Sequence, residues 1–182
     1  MRAMTMWVAA VALAWSAAAS AVEVGGIRLD EKANVGGQEL VLNGAGVRTR
    51  VFIKVYVASL WLPAKASALS GVLAKGPRRV QMNLLRDLSA DQLVNALVDG
   101  LKDNNSEAEL ASVKAQVDQM VATMKAFNDV KEGNVVTLDF VDGATKIGFN
   151  GAAKASIGGE AFNAALTKIW LGENPVQADL KK

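Results

Sequence analysis

The chain contains no cysteine, no histidine, a single tyrosine and only three prolines in 182 residues. Without cysteine it has no thiol nucleophile, no disulfide and no thiol redox chemistry. Without histidine it has no Ser-His-Asp triad, no imidazole general base and no typical zinc site. A carboxylate-only calcium site would need a loop with Asp/Asn spacing, and the sequence has none. No metal and no cofactor are therefore expected. An excess of one charge is missing too. The 20 basic residues fall to 19 once Arg2 is set aside as part of a leader, against 18 acidic ones. Near-neutrality argues against nucleic-acid binding and against a general attraction to anionic membranes.

What is present begins with that leader. Arg2 supplies a positive n-region, Met6 to Ala18 an apolar stretch, and Ala19-Ser20-Ala21 a small-x-small cleavage site. The pattern predicts a Sec-type signal peptide over 1–21, cleaved after Ala21, and a periplasmic or secreted mature chain starting at Val22. The apolar stretch is shorter than the ~20 residues a membrane span needs, so no transmembrane segment is expected after cleavage. Residues 22–182 make one domain, long enough to bury a real core. No pattern specifies an oligomeric state.

From Val51 to Leu62 the residues are mostly β-branched, aromatic or aliphatic, and neither Gly nor Pro interrupts them. Both alternate faces are mostly apolar, which predicts a strand covered on both sides and central to a sheet. If that strand runs unbroken from Arg48, then Arg48, Arg50, Lys54 and Tyr56 point to one face. Cations on a face that otherwise reads as core must be paired or must meet an anion, because an unpaired buried charge is costly. Arg48, Lys54 and Tyr56 are thus the candidate binding residues. The alternative is that the cations are neutralised internally, by an acid such as Asp87.

Around this run, Val24 to Leu29 reads as one short strand, and Glu39 to Val47 as a second, whose Gly44-Ala45-Gly46 marks a bulge or a close approach to the backbone. A short helix is predicted over Ala66 to Ala74 and a strand over Arg79 to Leu85, with Val80, Met82 and Leu84 on its covered side. Two capping-box spacings, Ser89 to Gln92 and Ser106 to Glu109, predict helix starts. The second heads an amphipathic series from Leu110 to Phe127, in which Met120 and Met124 line either core or an adaptable ligand cavity. Val135 to Val141 and Thr145 to Phe149 flank Asp142-Gly143, a strong hairpin signal, and Asn150-Gly151 turns into Ala152 to Ile157. A last helix is predicted from Gly159 to Leu171, ending at Gly172. The order suggests an α+β protein with a largely antiparallel sheet and helices on one side.

Three stretches then carry a resemblance. Gly44-Ala-Gly-Val-Arg48 with Phe52-Ile-Lys54-Val-Tyr56 resembles the signature hairpin of the chalcone isomerase-like family. Gly133-Asn-Val-Val-Thr-Leu-Asp-Phe140 is similar to its later hairpin, and Ala165 to Pro175 to its closing helix and exit. The resemblance spans most of residues 22–182 and is nearest to the bacterial exported branch, whose members carry a signal peptide and an Arg-Asp pair like Arg86-Asp87. It implies an open-faced β-sandwich, a large antiparallel sheet with helices on one face and a ligand cleft between them. In the plant enzymes that cleft closes chalcones into flavanones. In non-catalytic relatives an arginine and a tyrosine hold a fatty-acid carboxylate.

By that resemblance Arg48 matches the family's anion-binding arginine and Lys54 the lysine of its Phe-x-Lys strand. Tyr56 falls where the enzyme has a ketone-polarising threonine. The enzyme's catalytic tyrosine, expected between Leu85 and Ser89, has no counterpart, and its hydroxyl residue on the closing helix aligns with Ile169. The expectation is a non-catalytic protein that binds a small amphipathic anion, a fatty acid or similar carboxylate. The alternatives are an isomerase, an intramolecular lyase acting on a chalcone-like enone, and a periplasmic accessory protein with a vestigial cleft.

Overall fold

The computed structural model describes residues 21–74 and 76–181, so the predicted leader, residues 1–20, lies outside the described part. The chain first forms a two-stranded ribbon, β1 (Ala21–Val24) and β2 (Ile27–Asp30). The single early strand expected from Val24 to Leu29 is therefore a hairpin. Gly25 and Gly26, at φ 61° and 87°, turn it.

Seven strands follow in one antiparallel sheet whose spatial order is its chain order. They are β3 (Lys32–Val35), β4 (Gln38–Arg50), β5 (Ile53–Leu62), β6 (Arg78–Leu84), β7 (Val135–Val141), β8 (Ala144–Phe149) and β9 (Ala152–Gly158). Every link but one pair is short. The β5–β6 connection holds a single helical turn, α1 (Leu69–Val72), where a longer helix was expected. The β6–β7 connection holds α2 (Ala90–Asn104), α3 (Glu107–Ser112) and α4 (Lys114–Lys125), and α5 (Glu160–Leu171) follows β9.

Both capping boxes form, with Gln92 N–H donating to Ser89 Oγ at 3.1 Å and Glu109 N–H to Ser106 Oγ at 3.3 Å. The amphipathic series, expected as one helix from Leu110 to Phe127, is broken at Val113. There Ser112 Oγ donates to the Glu109 carbonyl at 2.6 Å, a side-chain competitor to the helical ladder. Val113 leaves helical geometry at φ −115°, ψ 14°, and its side chain is 2% exposed in the core. The Asp142-Gly143 and Asn150-Gly151 turns form as expected, with all four residues at positive φ.

The helices cover one face of the sheet. Between them lies the main core, in which Val80, Leu138, Phe140 and Ile147 of the sheet meet Leu101, Phe162, Leu166 and Ile169 of the helices. A second, smaller core lies on the opposite face, where Leu29 of the ribbon packs with Leu40, Val57 and Trp61. Trp61 Nε1 donates to the Asp30 carbonyl at 3.1 Å and ties the ribbon down. The fold is α+β with a large antiparallel sheet, as expected from the order of elements. No helix among the described residues is long and apolar enough to cross a membrane.

The Gly44-Ala45-Gly46 stretch satisfies both readings made of it. Asn43 is the extra residue of a bulge, and its side chain bonds both the N–H and the carbonyl of Ala66 at 2.8 and 3.0 Å. Gly46 admits the C-terminal segment, since a Cβ there would stand 2.7 Å from Leu180 Cδ2. Next to it Gln177 takes a bond from Thr49 N–H and donates to the Val47 carbonyl, sealing the edge of β4.

Candidate functional site

The strand read over Val51 to Leu62 does not run unbroken from Arg48, which belongs to the preceding strand. Val51 and Phe52, at φ 47° and 65°, form a two-residue turn between β4 and β5, so Arg50 stands opposite Ile53 and Arg48 opposite Tyr56. Thr49 pairs with Lys54, so Val55 is an extra residue on β5. That bulge reverses the alternation of side chains. Arg48 and Tyr56 therefore share the helix-covered face, whereas Lys54 sits opposite Thr49 on the other one and is exposed. The shared-parity argument for Lys54 fails for this physical reason. Lys54 is not among the residues lining the cavity described next.

A cavity of about 280 Å³ opens between the sheet and the helices. Its walls are apolar: Met82 and Leu84 of β6, Leu97 of α2, Met120 and Met124 of α4, Leu138 of β7 and Ile169 of α5. Met120 is also part of the buried core, so the two roles weighed for the methionines coincide. Its polar lining residues are Arg48, Arg50 and Tyr56, beside the β4–β5 turn, Trp170, whose indole bonds Tyr56, and Arg86 and Gln92. No carboxylate of the described residues lines it.

Arg48 is half-buried, and its Nη1 donates to the Thr49 carbonyl at 3.2 Å. It makes no ion pair among the described residues. Asp87, the acid named as its internal partner, is engaged elsewhere, accepting from the Glu132 N–H at 2.9 Å and from Lys131 Nζ at 3.0 Å. Those bonds, the Glu132 one first, hold the Asp87 carboxyl below its ordinary pKa. Arg50 and Arg86 are exposed at the mouth and likewise make no ion pair among the described residues. A guanidinium donates in a planar fork that fits a carboxylate or phosphate.

Tyr56 stands beside Arg48. Its hydroxyl accepts a bond from Trp170 Nε1 at 3.2 Å, which leaves its own proton available. Burial raises the pKa of the hydroxyl; the Trp170 bond, then the charge of Arg48 and a hydrogen bond from its guanidinium, oppose that rise. It is a neutral donor at ordinary pH. Arginine, tyrosine and indole thus form a polar end to an otherwise greasy hollow, suited to holding an anion with an apolar tail. Among the described residues no group of His, Cys, Asp or Glu side chains is placed to hold a metal ion.

Sequence reasoning did not assign Arg86 or Trp170 to this site. Arg86 follows the end of β6, where alternation no longer indicates direction. Trp170 reads as an ordinary core residue of an amphipathic helix, and only its indole N–H, which needs a partner when buried, could have signalled more.

The comparisons with known proteins agree with this architecture. The model of a family described as chalcone isomerase-like matches residues 21–182. A fatty-acid binding protein from Arabidopsis thaliana has a similar structure, with a TM-score of 0.69 and 12% sequence identity, over 89% of this chain and 94% of that one. At that identity the likeness establishes the fold. No curated protein matches the sequence.

Proposed function

The chain belongs to the chalcone isomerase-like family, and from that premise we propose that it is a non-catalytic binding protein for a small amphipathic carboxylate such as a fatty acid. The observation that carries the reading is Arg48. A half-buried guanidinium without a carboxylate partner among the described residues faces an apolar cavity, with the Tyr56 hydroxyl proton beside it. An uncompensated cation on such a wall is a cost to the empty protein. An incoming carboxylate converts it into a charge-assisted, bidentate contact. The tail then leaves water for the space between Met82, Leu97, Met120 and Ile169, at about 0.8 kcal/mol for each methylene buried. The fatty-acid binding protein of similar structure motivates the choice of ligand class. Lys54, exposed on the other face, takes no part.

Among the described residues the cavity wall supplies no carboxylate to act as a general base, and the chain has no histidine, which favours binding over isomerisation of an enone. The leader pattern over residues 1–21 supports the reading that the protein is exported to the periplasm or beyond. The test is titration of delipidated protein with straight-chain fatty acids, together with extraction and mass analysis of lipid from protein purified out of its exported compartment. Wild type should bind in the micromolar range or tighter, carry extractable acid, and begin at Val22. Arg48→Ala should lose at least tenfold in affinity. Empty wild type that takes up no acid, or an alanine variant that binds equally well, would overturn the proposal.

A further inference from the structure

The β4–β5 turn is built against the rules for a stable, solitary fold. Val51, Phe52 and Ile53 are 80%, 97% and 50% exposed, three consecutive apolar residues offered to water at a hairpin tip. Scattered exposed apolar residues need no explanation, but a contiguous run at a projecting tip does. The backbone compounds this. A two-residue hairpin turn with both φ values positive is what Asn-Gly adopts easily, yet here the positions are a β-branched and an aromatic residue at 47° and 65°. Strain and exposed apolar surface both oppose folding, and at 97% exposure Phe52 has almost no contact within the chain to offset them.

The surroundings of the tip say what would. Arg50 and Lys54 flank it in sequence on opposite faces of the hairpin, and Arg48 and Arg86 stand behind it at the cavity mouth. None of the four makes an ion pair among the described residues. Val51 and Ile53 belong both to the tip and to the cavity wall, so the apolar surface is continuous from Phe52 into the hollow. We propose that this hairpin tip inserts into an anionic lipid surface, Phe52 entering the acyl boundary while the surrounding cations meet the headgroups, so that the cavity mouth opens onto the membrane. The near-neutral net charge makes this a local contact and not a general adhesion. Its use, passage of an apolar tail between bilayer and cavity without crossing water, rests on the binding function proposed above. The contact itself does not.

Co-sedimentation with vesicles tests it, using phosphatidylglycerol–phosphatidylethanolamine mixtures against pure phosphatidylcholine. Wild type should pellet with the anionic vesicles, and each cation at the tip should contribute about fivefold. Phe52→Gly should lose at least tenfold in vesicle binding. It should also melt no lower than wild type, because glycine fits the positive φ, and should keep its affinity for fatty acid in solution, since Phe52 is not part of the cavity wall. Phe52→Trp should restore vesicle binding, with a blue-shifted emission in the presence of anionic vesicles. Wild type left in the supernatant, Phe52→Gly pelleting as well as wild type, or a tryptophan at the tip whose emission ignores lipid would each overturn the docking proposal. The solution titration judges the binding function separately.

Discussion

Replacing Tyr56 by phenylalanine removes one oxygen and keeps the ring, so its consequences can be worked group by group. In the free protein the hydroxyl accepts the Trp170 indole N–H at 3.2 Å, and Trp170 is only 7% exposed. Phenylalanine strands that donor away from water, a loss of about 1–3 kcal/mol. For a domain of this size the melting temperature should fall by about 2–12 °C. Binding loses a second quantity. The hydroxyl proton is free in the empty site, and a hydrogen bond to a charged acceptor is worth about 1.5–3 kcal/mol, so carboxylate affinity should drop by about 10- to 150-fold. Because burial raises the pKa of the hydroxyl, it stays a donor at neutral pH, and wild-type affinity should show no titration of this group there. Thermal unfolding followed by circular dichroism, together with fatty-acid titration of both proteins, measures the two effects. A variant that melts and binds like wild type would show that the hydroxyl does neither task.

Three further expectations follow from other parts of the molecule. Gly100 of α2 faces α5 so closely that a Cβ would stand 2.8 Å from Ile169 Cγ2. Gly100→Ala gains about 1 kcal/mol of helix propensity but overpacks the core by about 1–3. Chemical denaturation should find it less stable, by about 1 kcal/mol net, and a more stable variant would refute the packing argument. Glu109 is held down to about pKa 2, first by Lys168 Nζ at 2.7 Å and then by the N–H and hydroxyl of Ser106. A depressed carboxylate stabilises the fold fully above its unfolded value of about 4.5 and loses that contribution as the pH falls towards 2. The stability–pH curve of Glu109→Gln should therefore be flatter than that of wild type between those values; parallel curves would contradict the assignment. Incubation with a chalcone, under conditions that suppress spontaneous ring closure, should give no acceleration over buffer, and a measurable rate would return isomerisation to consideration.

Much of the architecture was legible from the chain because local chemistry and global fold agree. Asp142-Gly143 and Asn150-Gly151 turn where such pairs turn, and the capping boxes at Ser89 and Ser106 open helices. The misreadings have particular causes. Gly25-Gly26 was a readable hairpin signal inside a segment too short for its alternation to dominate. Val51-Phe52 gives no turn signature, because the residues that reverse the chain there are ones that normally extend it, so the second strand read as starting at Val51 and, if unbroken, at Arg48. The bulge at Val55 then inverted the direction assigned to Lys54. Arg48 and Tyr56 share the cavity face through cross-strand pairing and not, as supposed, through alternation along one strand. The break at Val113 depends on a serine–carbonyl bond and a buried side chain that periodicity does not contain.

The contact between guanidinium and guest can be observed directly with a fatty acid carrying ¹³C at its carboxyl carbon. A carboxylate held by an arginine has its pKa lowered by about 1–3 units. The bound resonance in wild type should therefore stay at its ionised position as the pH is lowered past the point where free acid protonates, and should titrate ordinarily in Arg48→Met. A bound resonance that titrates alike in both proteins would place the carboxylate away from Arg48 and contradict the account.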